Sequence, residues 1–259
     1  MSSWKSEFIT ARQALGCPEN LRKYVGARLG NAAERFQGKL YPWQTEGIEW
    51  MVKQESRGIG GLLADDMGLG KTILSIALVL SYTSPGHTLI IVPSMLLENW
   101  KETIKSHGSC VKTTVVAKAP RCSCEGHCSC LKGAFDNSTI VLTTYVAVAR
   151  SKCFSDYRRW SRVILDEAHY IFRSDSMRSK ACLALCSAST LCWALTGTPL
   201  HNKTQDITNI SRFIFNAAKG MGAPLFMAHF TLRRTVAEIR KKYPHLWIVP
   251  EHTTETIFS

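Results

Sequence analysis

Residues 60–72 read G-G-L-L-A-D-D-M-G-L-G-K-T and run directly into the apolar segment I-L-S-I-A-L-V-L of residues 73–80. The apolar segment is typical of a buried helix, whereas the glycines before it are typical of a tight turn. Gly68 and Gly70 permit positive φ angles and leave the neighbouring backbone N–H groups unshielded. A turn of this kind between a strand and a helix points several N–H groups at one position, which is how proteins hold phosphate.

The last two residues of this stretch supply matching side chains. Lys71 places a positive charge where β- and γ-phosphates would lie, and the Thr72 hydroxyl is suited to magnesium. The sequence therefore predicts a phosphate-binding loop. Asp65 stands where the G-x-x-x-x-G-K-[ST] pattern has its first glycine, so a tight turn before an ordinary helix is the alternative interpretation.

The composition is that of a globular chain with a basic surface. Of 259 residues 45% are hydrophobic, and 32 Lys and Arg against 20 Asp and Glu give a formal charge of +12. Such an excess favours a polyanionic partner such as nucleic acid, with a generally basic, solvated surface as the alternative. No apolar run approaches the roughly 18 residues of a membrane span, and no signal-peptide core follows Met1. We therefore expect an intracellular protein with no membrane partner.

Four short apolar runs predict the strands of one sheet. They are residues 88–93 (T-L-I-I-V-P), 139–145 (T-I-V-L-T-T-Y), 162–165 (R-V-I-L) and 191–195 (L-C-W-A-L). Stretches with helical spacing lie between them, and polar residues follow each run. This alternation indicates an α/β fold with a doubly wound, mostly parallel sheet and helices on both faces. In such sheets ligands bind at the carboxyl ends of the strands.

A predicted helix from Pro42 precedes the phosphate-binding loop. Trp43, Gly47 and Trp50 recur on one face of this helix, and Gln44 lies just beside that face. A carboxamide donates and accepts hydrogen bonds at once, as recognition of an adenine edge requires. The alternative is a surface amide with no ligand.

An acidic pair follows the third apolar run. Asp166 and Glu167 come immediately after residues 162–165, so their backbones are held by a strand while their side chains reach the cavity. One carboxylate can hold magnesium, and the next can orient and deprotonate an attacking water. Phosphoryl transfer needs mainly positioning and charge neutralisation from a protein.

Taken in order, these motifs resemble one known family. Gln44, A-D-D-M-G-L-G-K-T at 64–72, the I-I-V-P run, D-E-A-H at 166–169, L-T-G-T-P-L-H-N at 195–202 and L-R-R-T at 232–235 look like the first motor lobe of Swi/Snf-type ATPases. These are helicase-like superfamily-two proteins that translocate on double-stranded DNA and remodel chromatin. The family commonly has an Asp at the position of Asp65. The Asp65-Asp66 form with G-G-L-L before it is most similar to the lodestar and helicase-like transcription factor subgroup.

The resemblance implies a RecA-like P-loop lobe with ATP and magnesium as ligands, in a nuclear protein. It implies a nucleotide-binding set of Gln44, Asp65, Asp66, Met67, Gly68, Leu69, Gly70, Lys71 and Thr72. Lys71, Asp166 and Glu167 would be catalytic, with Thr72 and Asp166 on magnesium and Glu167 as the base. Coupling of hydrolysis to movement would use His169, Thr196, Gly197 and Thr198. Residues near DNA would be Pro93, Ser94, Thr143 and Thr144.

Residues 231–243 are basic and include Arg233 and Arg234. They are candidates for phosphate contact with DNA, or else part of a solvated basic face. Two residues depart from the family pattern, because His201 stands where Gln is usual and Val236 stands where Lys often follows R-R-T. The resemblance therefore does not assign a coupling role to His201 or a DNA contact to Val236.

A Cys-rich segment interrupts the predicted sheet at about residues 118–132. Cys122, Cys124, Cys128 and Cys130 lie in a C-x-C-x3-C-x-C arrangement with His127 among them. Four thiolates of this kind favour zinc, and a reactive surface loop or an oxidised hairpin are the alternatives. The other cysteines sit among apolar residues, which indicates core packing.

The sequence thus predicts an N-terminal lead-in at 1–38, an ATP-binding helicase lobe at 39–215 and a basic extension at 216–259. The family's second lobe supplies arginine fingers, whose loss in related enzymes lowers the rate by about 10³–10⁵. We expect the chain to be a fragment, to work with a partner carrying the second lobe, or to be a non-catalytic nucleotide- or DNA-binding module. A strand-separating DEAH-type helicase fits D-E-A-H but not the surrounding motifs.

Overall fold

In the described part of the chain, seven parallel strands form one central sheet. The computed structural model describes residues 18–81, 87–118, 130–157, 159–171, 176–197, 204–215 and 222–246. The strands are β1 (Gly61–Leu63), β2 (His87–Val92), β3 (Thr113–Val116), β4 (Ile140–Thr144), β5 (Trp160–Leu165), β6 (Leu191–Leu195) and β7 (Thr231–Leu232). Their order in the sheet is β3-β4-β2-β5-β6-β1-β7, and each pairing between them is parallel. The predicted α/β fold is confirmed.

The central strands are apolar on both faces because helices cover both. Along β2, Leu89 and Ile91 belong to one hydrophobic cluster, whereas Ile90 and Val92 belong to another. Successive side chains of a strand point to opposite faces, so each cluster marks one side of the sheet. This two-sided burial explains why the strands read as continuous apolar runs in the sequence.

Eleven helices surround the sheet in the described parts of the chain. They are α1 (Pro18–Arg35), α2 (Pro42–Ser56), α3 (Lys71–Leu80), α4 (Leu97–His107), α5 (Lys132–Asp136), α6 (Tyr145–Arg150), α7 (Cys153–Asp156), α8 (Met177–Ala188), α9 (Thr204–Phe215), α10 (Ala223–Phe230) and α11 (Val236–Lys242). Short 3₁₀ turns occupy Ser94–Leu96, Ala168–Ile171 and Pro244–Leu246. None of the helices in these ranges is long and apolar enough to cross a membrane.

A buried ion cluster ties two helices to the sheet. Glu55, at the end of α2, is 1% exposed. Its carboxylate accepts hydrogen bonds from Arg28 Nη2 at 2.9 Å, from Arg162 Nε and Nη2 at 2.6 and 2.7 Å, and from Trp193 Nε1 at 3.0 Å. Burial alone would raise the pKa of Glu55, but the two guanidinium groups lower it to about 2. The cluster joins α1, α2, β5 and β6.

The sheet continues beyond residue 216, within the predicted basic extension toward a second lobe. Leu62 and Leu63 of β1 pair with Thr231 and Leu232 of β7. The backbone N–H of Ala64 then donates to the Leu232 carbonyl at 2.7 Å. The segment from β7 through α11 therefore packs on the edge of the sheet that carries the phosphate-binding loop.

Candidate nucleotide-binding site

The predicted loop joins β1 to α3 and has the backbone shape of a phosphate cradle. Gly68 and Gly70 have φ angles of 87° and 90°, which glycine adopts without strain. A Cβ at Gly70 would collide with the carboxamide of Gln44. The positive φ is the reason that glycine is needed at residue 70, and any larger residue would also displace the Gln44 carboxamide. The loop ends as Lys71 begins α3, so the free N–H groups of that helix face the cradle.

Lys71 is folded back onto the loop. Its Nζ donates to the backbone carbonyls of Asp65 and Asp66, at 2.7 and 3.2 Å. Burial lowers the pKa of Lys71, while the carboxylates of Glu167 and Asp65 act in the opposite direction. Thr72 follows in the first turn of α3 and is half-buried. A phosphate oxygen is a suitable replacement for the carbonyls that the ammonium group contacts.

Asp166 follows the end of β5 and is held from three sides. Its Oδ2 accepts a hydrogen bond from Trp100 Nε1 at 2.6 Å, and its Oδ1 accepts one from the Glu167 N–H at 2.9 Å. The Tyr145 hydroxyl donates to the Asp166 carbonyl at 2.7 Å. Burial raises the pKa of Asp166 to about 6, and the Trp100 hydrogen bond opposes this rise. The carboxylate is oriented for a cation that would stabilise its charged form.

Glu167 has a φ of 49° and is the one non-glycine residue with positive φ in the described ranges. A left-handed backbone at such a residue costs of order 1–3 kcal/mol and is found mostly at functional sites. Its Oε2 is buried without a partner in hydrogen-bond geometry, although His169 Nδ1 lies 3.2 Å away. Glu167 therefore combines a strained backbone with a buried carboxylate oxygen, directly after Asp166 at the end of β5.

The end of β6 closes the third side of the site. A Cβ at Gly197 would lie 2.7 Å from Met67 Cγ and 3.1 Å from Lys71 Nζ. The turn therefore lies against the side chains of Met67 and Lys71. The N–H of Thr196 donates to the Leu63 carbonyl at 3.0 Å and continues the β1–β6 pairing. Thr198 lies outside the described residues, as does His201.

Gln44 lies beside the cradle rather than on the surface. It is 6% exposed, which excludes a solvated surface amide. Its Oε1 accepts a hydrogen bond from the Tyr41 N–H at 2.9 Å, and its amide nitrogen faces Gly70. Trp43 Nε1 donates to the Leu69 carbonyl at 3.2 Å. The start of α2 is thus joined directly to the predicted phosphate-binding loop.

Sequence reasoning placed Asp65 on the nucleotide and Arg234 on DNA, but the structure pairs them. Asp65 is fully buried. Arg234 Nε lies 3.1 and 3.2 Å from its two carboxylate oxygens, the Arg234 N–H donates to Oδ1 at 3.0 Å, and Nη2 completes the ion pair. Arg234 Nη1 also donates to the Trp43 carbonyl. Both members of the pair are therefore occupied by each other.

The other residues predicted to lie near DNA divide into two groups. Ser94 and Arg233 are exposed. Pro93, Thr143 and Thr144 are buried, and both threonine hydroxyls are hydrogen-bonded. Thr143 Oγ1 donates to the Val116 carbonyl at 2.8 Å, and Thr144 Oγ1 accepts the Ala147 N–H at 3.2 Å, capping α6.

Two supporting residues were missed from the sequence. Trp100 lies on α4, and its indole N–H donates to the Asp166 carboxylate. Tyr145 ended a predicted strand, and nothing in the sequence linked its hydroxyl to the Asp166 backbone. The available signal was chemical, because a buried Trp or Tyr needs a partner for its polar end.

The cysteines of the predicted metal site fall mainly outside the described residues. This holds for Cys122, Cys124 and Cys128, together with His127, whereas Cys130 is described and exposed. Within the described parts of the chain, no cluster of three or more His, Cys, Asp or Glu could hold a metal ion. The buried residues Cys182, Cys186 and Cys192 line the core, as expected.

The fold and site define a RecA-like P-loop lobe, with the cradle, the acidic pair and the glycine turn at the ends of β1, β5 and β6. A family profile described as the SNF2-related domain matches residues 43–247. The chain therefore belongs to the SNF2-related family.

Similar proteins agree with this placement. One, named "Probable global transactivator", is from Orgyia pseudotsugata multicapsid polyhedrosis virus; it is 36% identical over 68% of this chain and 35% of its own length. The ISWI chromatin-remodeling complex ATPase ISW1 of Saccharomyces cerevisiae is 32% identical over 68% of this chain and 16% of its own length. A solved structure described as the Sulfolobus solfataricus SWI2/SNF2 ATPase core in complex with dsDNA is 28% identical, with a TM-score of 0.65 over 78% of this chain and 45% of that one. The chain thus spans less than half the length of each of these relatives.

Proposed function

We propose that this chain binds Mg-ATP and is the first lobe of a DNA-dependent ATPase of the Swi/Snf type, in which hydrolysis drives translocation on double-stranded DNA or remodelling of protein–DNA complexes. One observation carries the proposal. Lys71 lies close to Gly197 and to the acidic pair Asp166 and Glu167, and these groups follow the ends of three neighbouring strands, β1, β6 and β5. The names of the relatives, which include a chromatin-remodelling ATPase and a DNA-bound ATPase core, support it.

The residues present fit the ligand. The cradle would hold the phosphates through its N–H groups and Lys71, while Thr72 and Asp166 would hold magnesium. Bound magnesium would neutralise phosphate charge and keep Asp166 ionised. The carboxamide of Gln44 is fixed next to the cradle, where we propose that it recognises adenine.

Glu167 is the proposed base that accepts the proton of the attacking water. The support is its buried Oε2, which lacks a partner in hydrogen-bond geometry, and the positive φ of its backbone. His169 lies 3.2 Å from that oxygen. We propose that His169, Thr196, Gly197 and Thr198 couple the hydrolysis of ATP to movement. A general base of this kind contributes about 10²–10⁴ to the rate.

For DNA we propose that Ser94 and Arg233 contact phosphate, because both are exposed. The buried Pro93, Thr143 and Thr144 would shape that surface from beneath. The net charge of +12 is consistent with a polyanionic partner. Arg234 is omitted from this set because its guanidinium is paired with Asp65.

Three further proposals rest on the resemblance and on the sequence. A partner chain or segment would carry the second lobe, the protein would act in the nucleus, and within the family the D-D-M-G-L-G-K-T form favours the lodestar and helicase-like transcription factor subgroup. Separately, Cys122, Cys124, Cys128 and Cys130 would bind zinc. Metal analysis of the purified chain beside a variant with all four cysteines changed to serine tests this, and equal zinc content would contradict it.

The decisive experiment is ATP hydrolysis by the purified chain with and without double-stranded DNA, beside Lys71→Ala. Stimulation by DNA that disappears in the variant supports a working motor site. Binding of ATP without turnover, lost in the variant, supports an isolated lobe and calls for a partner with the second half. No difference from Lys71→Ala in either binding or hydrolysis would refute the proposal and favour a module that retains only the fold.

A further inference from the structure

We propose that Arg234 is a positioning residue of the ATP site, and that it holds the phosphate-binding loop in shape through Asp65. The inference deepens the proposed function, on which it rests. Arg234 lies 169 positions after Asp65 in the chain, in a segment that the sequence assigned to DNA. The structure places this segment on the back of the cradle.

The buried Asp65 carboxylate needs a cation beside it. Asp65 is fully buried, and a buried carboxylate needs a charged partner to stay ionised. The described groups that meet its two oxygens are the backbone N–H, Nε and Nη2 of Arg234. Lys71 contacts the carbonyl of Asp65 instead. Arg234 therefore supplies the cation for this carboxylate.

Backbone hydrogen bonds around the ion pair join the residues before the cradle to the segment that carries Arg234. The Asp66 N–H donates to the Arg234 carbonyl at 3.0 Å, and the Asp66 Oδ2 accepts the Val236 N–H at 3.0 Å. Together with the Ala64 bond to β7, three consecutive residues before the cradle are fastened to one segment. Arg234 Nη1 reaches the Trp43 carbonyl as well, so the start of α2, which carries Gln44, is held by the same side chain.

A small apolar cluster seals this arrangement. Trp43, Leu69 and Ile239 are buried together, and Tyr243 packs against them. They join α2, the tip of the phosphate-binding loop and α11. Arg234 thus acts inside a packed junction rather than as an isolated surface pair, which makes its guanidinium a geometric restraint.

The Arg234 restraint reaches the ligand through Lys71. Lys71 Nζ is held by the carbonyls of Asp65 and Asp66, the two residues that Arg234 fastens. If the guanidinium is removed, the buried Asp65 carboxylate is left without its cation and must move, and the two carbonyls move with it. The N–H groups of the cradle and the Lys71 ammonium group would then no longer point at the same phosphate.

The test is equilibrium binding of a fluorescent N-methylanthraniloyl ATP with magnesium, measured together with thermal unfolding. We expect Arg234→Ala to weaken binding by about 10- to 100-fold, by analogy with the loss of residues that orient metal ligands. Arg234→Lys should recover part of this loss, because it restores the charge but not the fork of donors. Lys241→Ala, an exposed basic residue on α11, is the matched control and should bind as the unchanged chain does.

Two variants separate positioning from general destabilisation. Glu55→Gln breaks the buried ion cluster near the other end of the strands and should lower the unfolding temperature while leaving the Kd for nucleotide unchanged. Asp65→Asn combined with Arg234→Ala should bind no more weakly than the worse single variant, because both changes remove the same interaction.

The inference is overturned if folded Arg234→Ala binds nucleotide like the unchanged chain, or if Glu55→Gln weakens binding in proportion to its loss of stability. Additive losses in the double variant would also overturn it. Should Arg234→Ala fail to fold, Arg234→Lys and Asp65→Asn decide the matter by the same criteria. Failure of the proposed function looks different, since the unchanged chain and Lys71→Ala would then bind equally poorly.

Discussion

Glu55 gives the sharpest prediction about what holds this lobe together. We consider Glu55→Gln, which keeps the shape of the side chain and removes its charge. In the structure the Glu55 carboxylate accepts hydrogen bonds from Nε and Nη2 of Arg162 and from Nη2 of Arg28. All three side chains are at most 5% exposed. The change would leave two buried guanidinium groups without an anion.

The size of the effect follows from the pKa. The difference between the ordinary value of 4.5 and about 2 in the folded chain corresponds to about 3 kcal/mol, at about 1.4 kcal/mol for each tenfold change in proton affinity. A comparable value comes from mutations in other proteins, where removing one partner of a buried ion pair lowers the free energy of unfolding by about 3–5 kcal/mol. Because the folded-state pKa lies below the unfolded one, this stability is present above about pH 4.5 and is lost as the pH falls towards 2.

The assay is urea unfolding followed by tryptophan fluorescence at pH 7, 5 and 3. Glu55→Gln should lower the free energy of unfolding by about 3 kcal/mol or more at pH 7, and the deficit should shrink by about 2 kcal/mol at pH 3. Glu49→Gln on the same helix is the control, since its pair with Lys53 is exposed and worth at most about 1 kcal/mol. A deficit below about 1 kcal/mol at pH 7, or one that does not change with pH, would refute the reasoning.

Three predictions concern the site itself. Glu167→Gln should keep ATP binding and lose hydrolysis by about 10²–10⁴; retained turnover in a steady-state assay would remove Glu167 as the base. Trp100→Phe deletes the hydrogen bond that lowers the pKa of Asp166, so that pKa should rise and half-saturation with magnesium should need about 10- to 100-fold more metal, whereas Trp50→Phe should leave the magnesium titration unchanged. Arg233→Ala should weaken DNA binding and reduce the slope of log K against log salt by about 1, and an unchanged slope would argue against a phosphate contact.

Much of this fold could be predicted because its signals are local. The runs at 88–93, 139–145, 162–165 and 191–195 became β2, β4, β5 and β6 with ends shifted by at most two residues. Each is buried on both faces, so its sequence is apolar throughout. The cradle was also predictable, since Gly68 and Gly70 have the positive φ that the turn requires.

The parts that escaped prediction depend on contacts between distant residues. β3 is an edge strand, and only one of its four residues is buried, so no apolar run marks it. β7 is two residues long, and it exists because β1 offers an unpaired edge. Arg234 looked like one more basic residue in a basic segment, because nothing near it in the sequence reveals the buried carboxylate that it meets.

That pairing explains how an aspartate can stand where the strict phosphate-loop pattern has a glycine. A carboxylate as deeply buried as Asp65 would be costly alone, by several kcal/mol for an unpaired charge, and would shift or neutralise. With Arg234 against it, the same carboxylate becomes an anchor that ties the cradle to the segment after β7. A chain ending at residue 215 would keep Lys71 and the acidic pair but lose this anchor. We therefore infer that β7 and Arg234 support the ATP site as directly as the loop does.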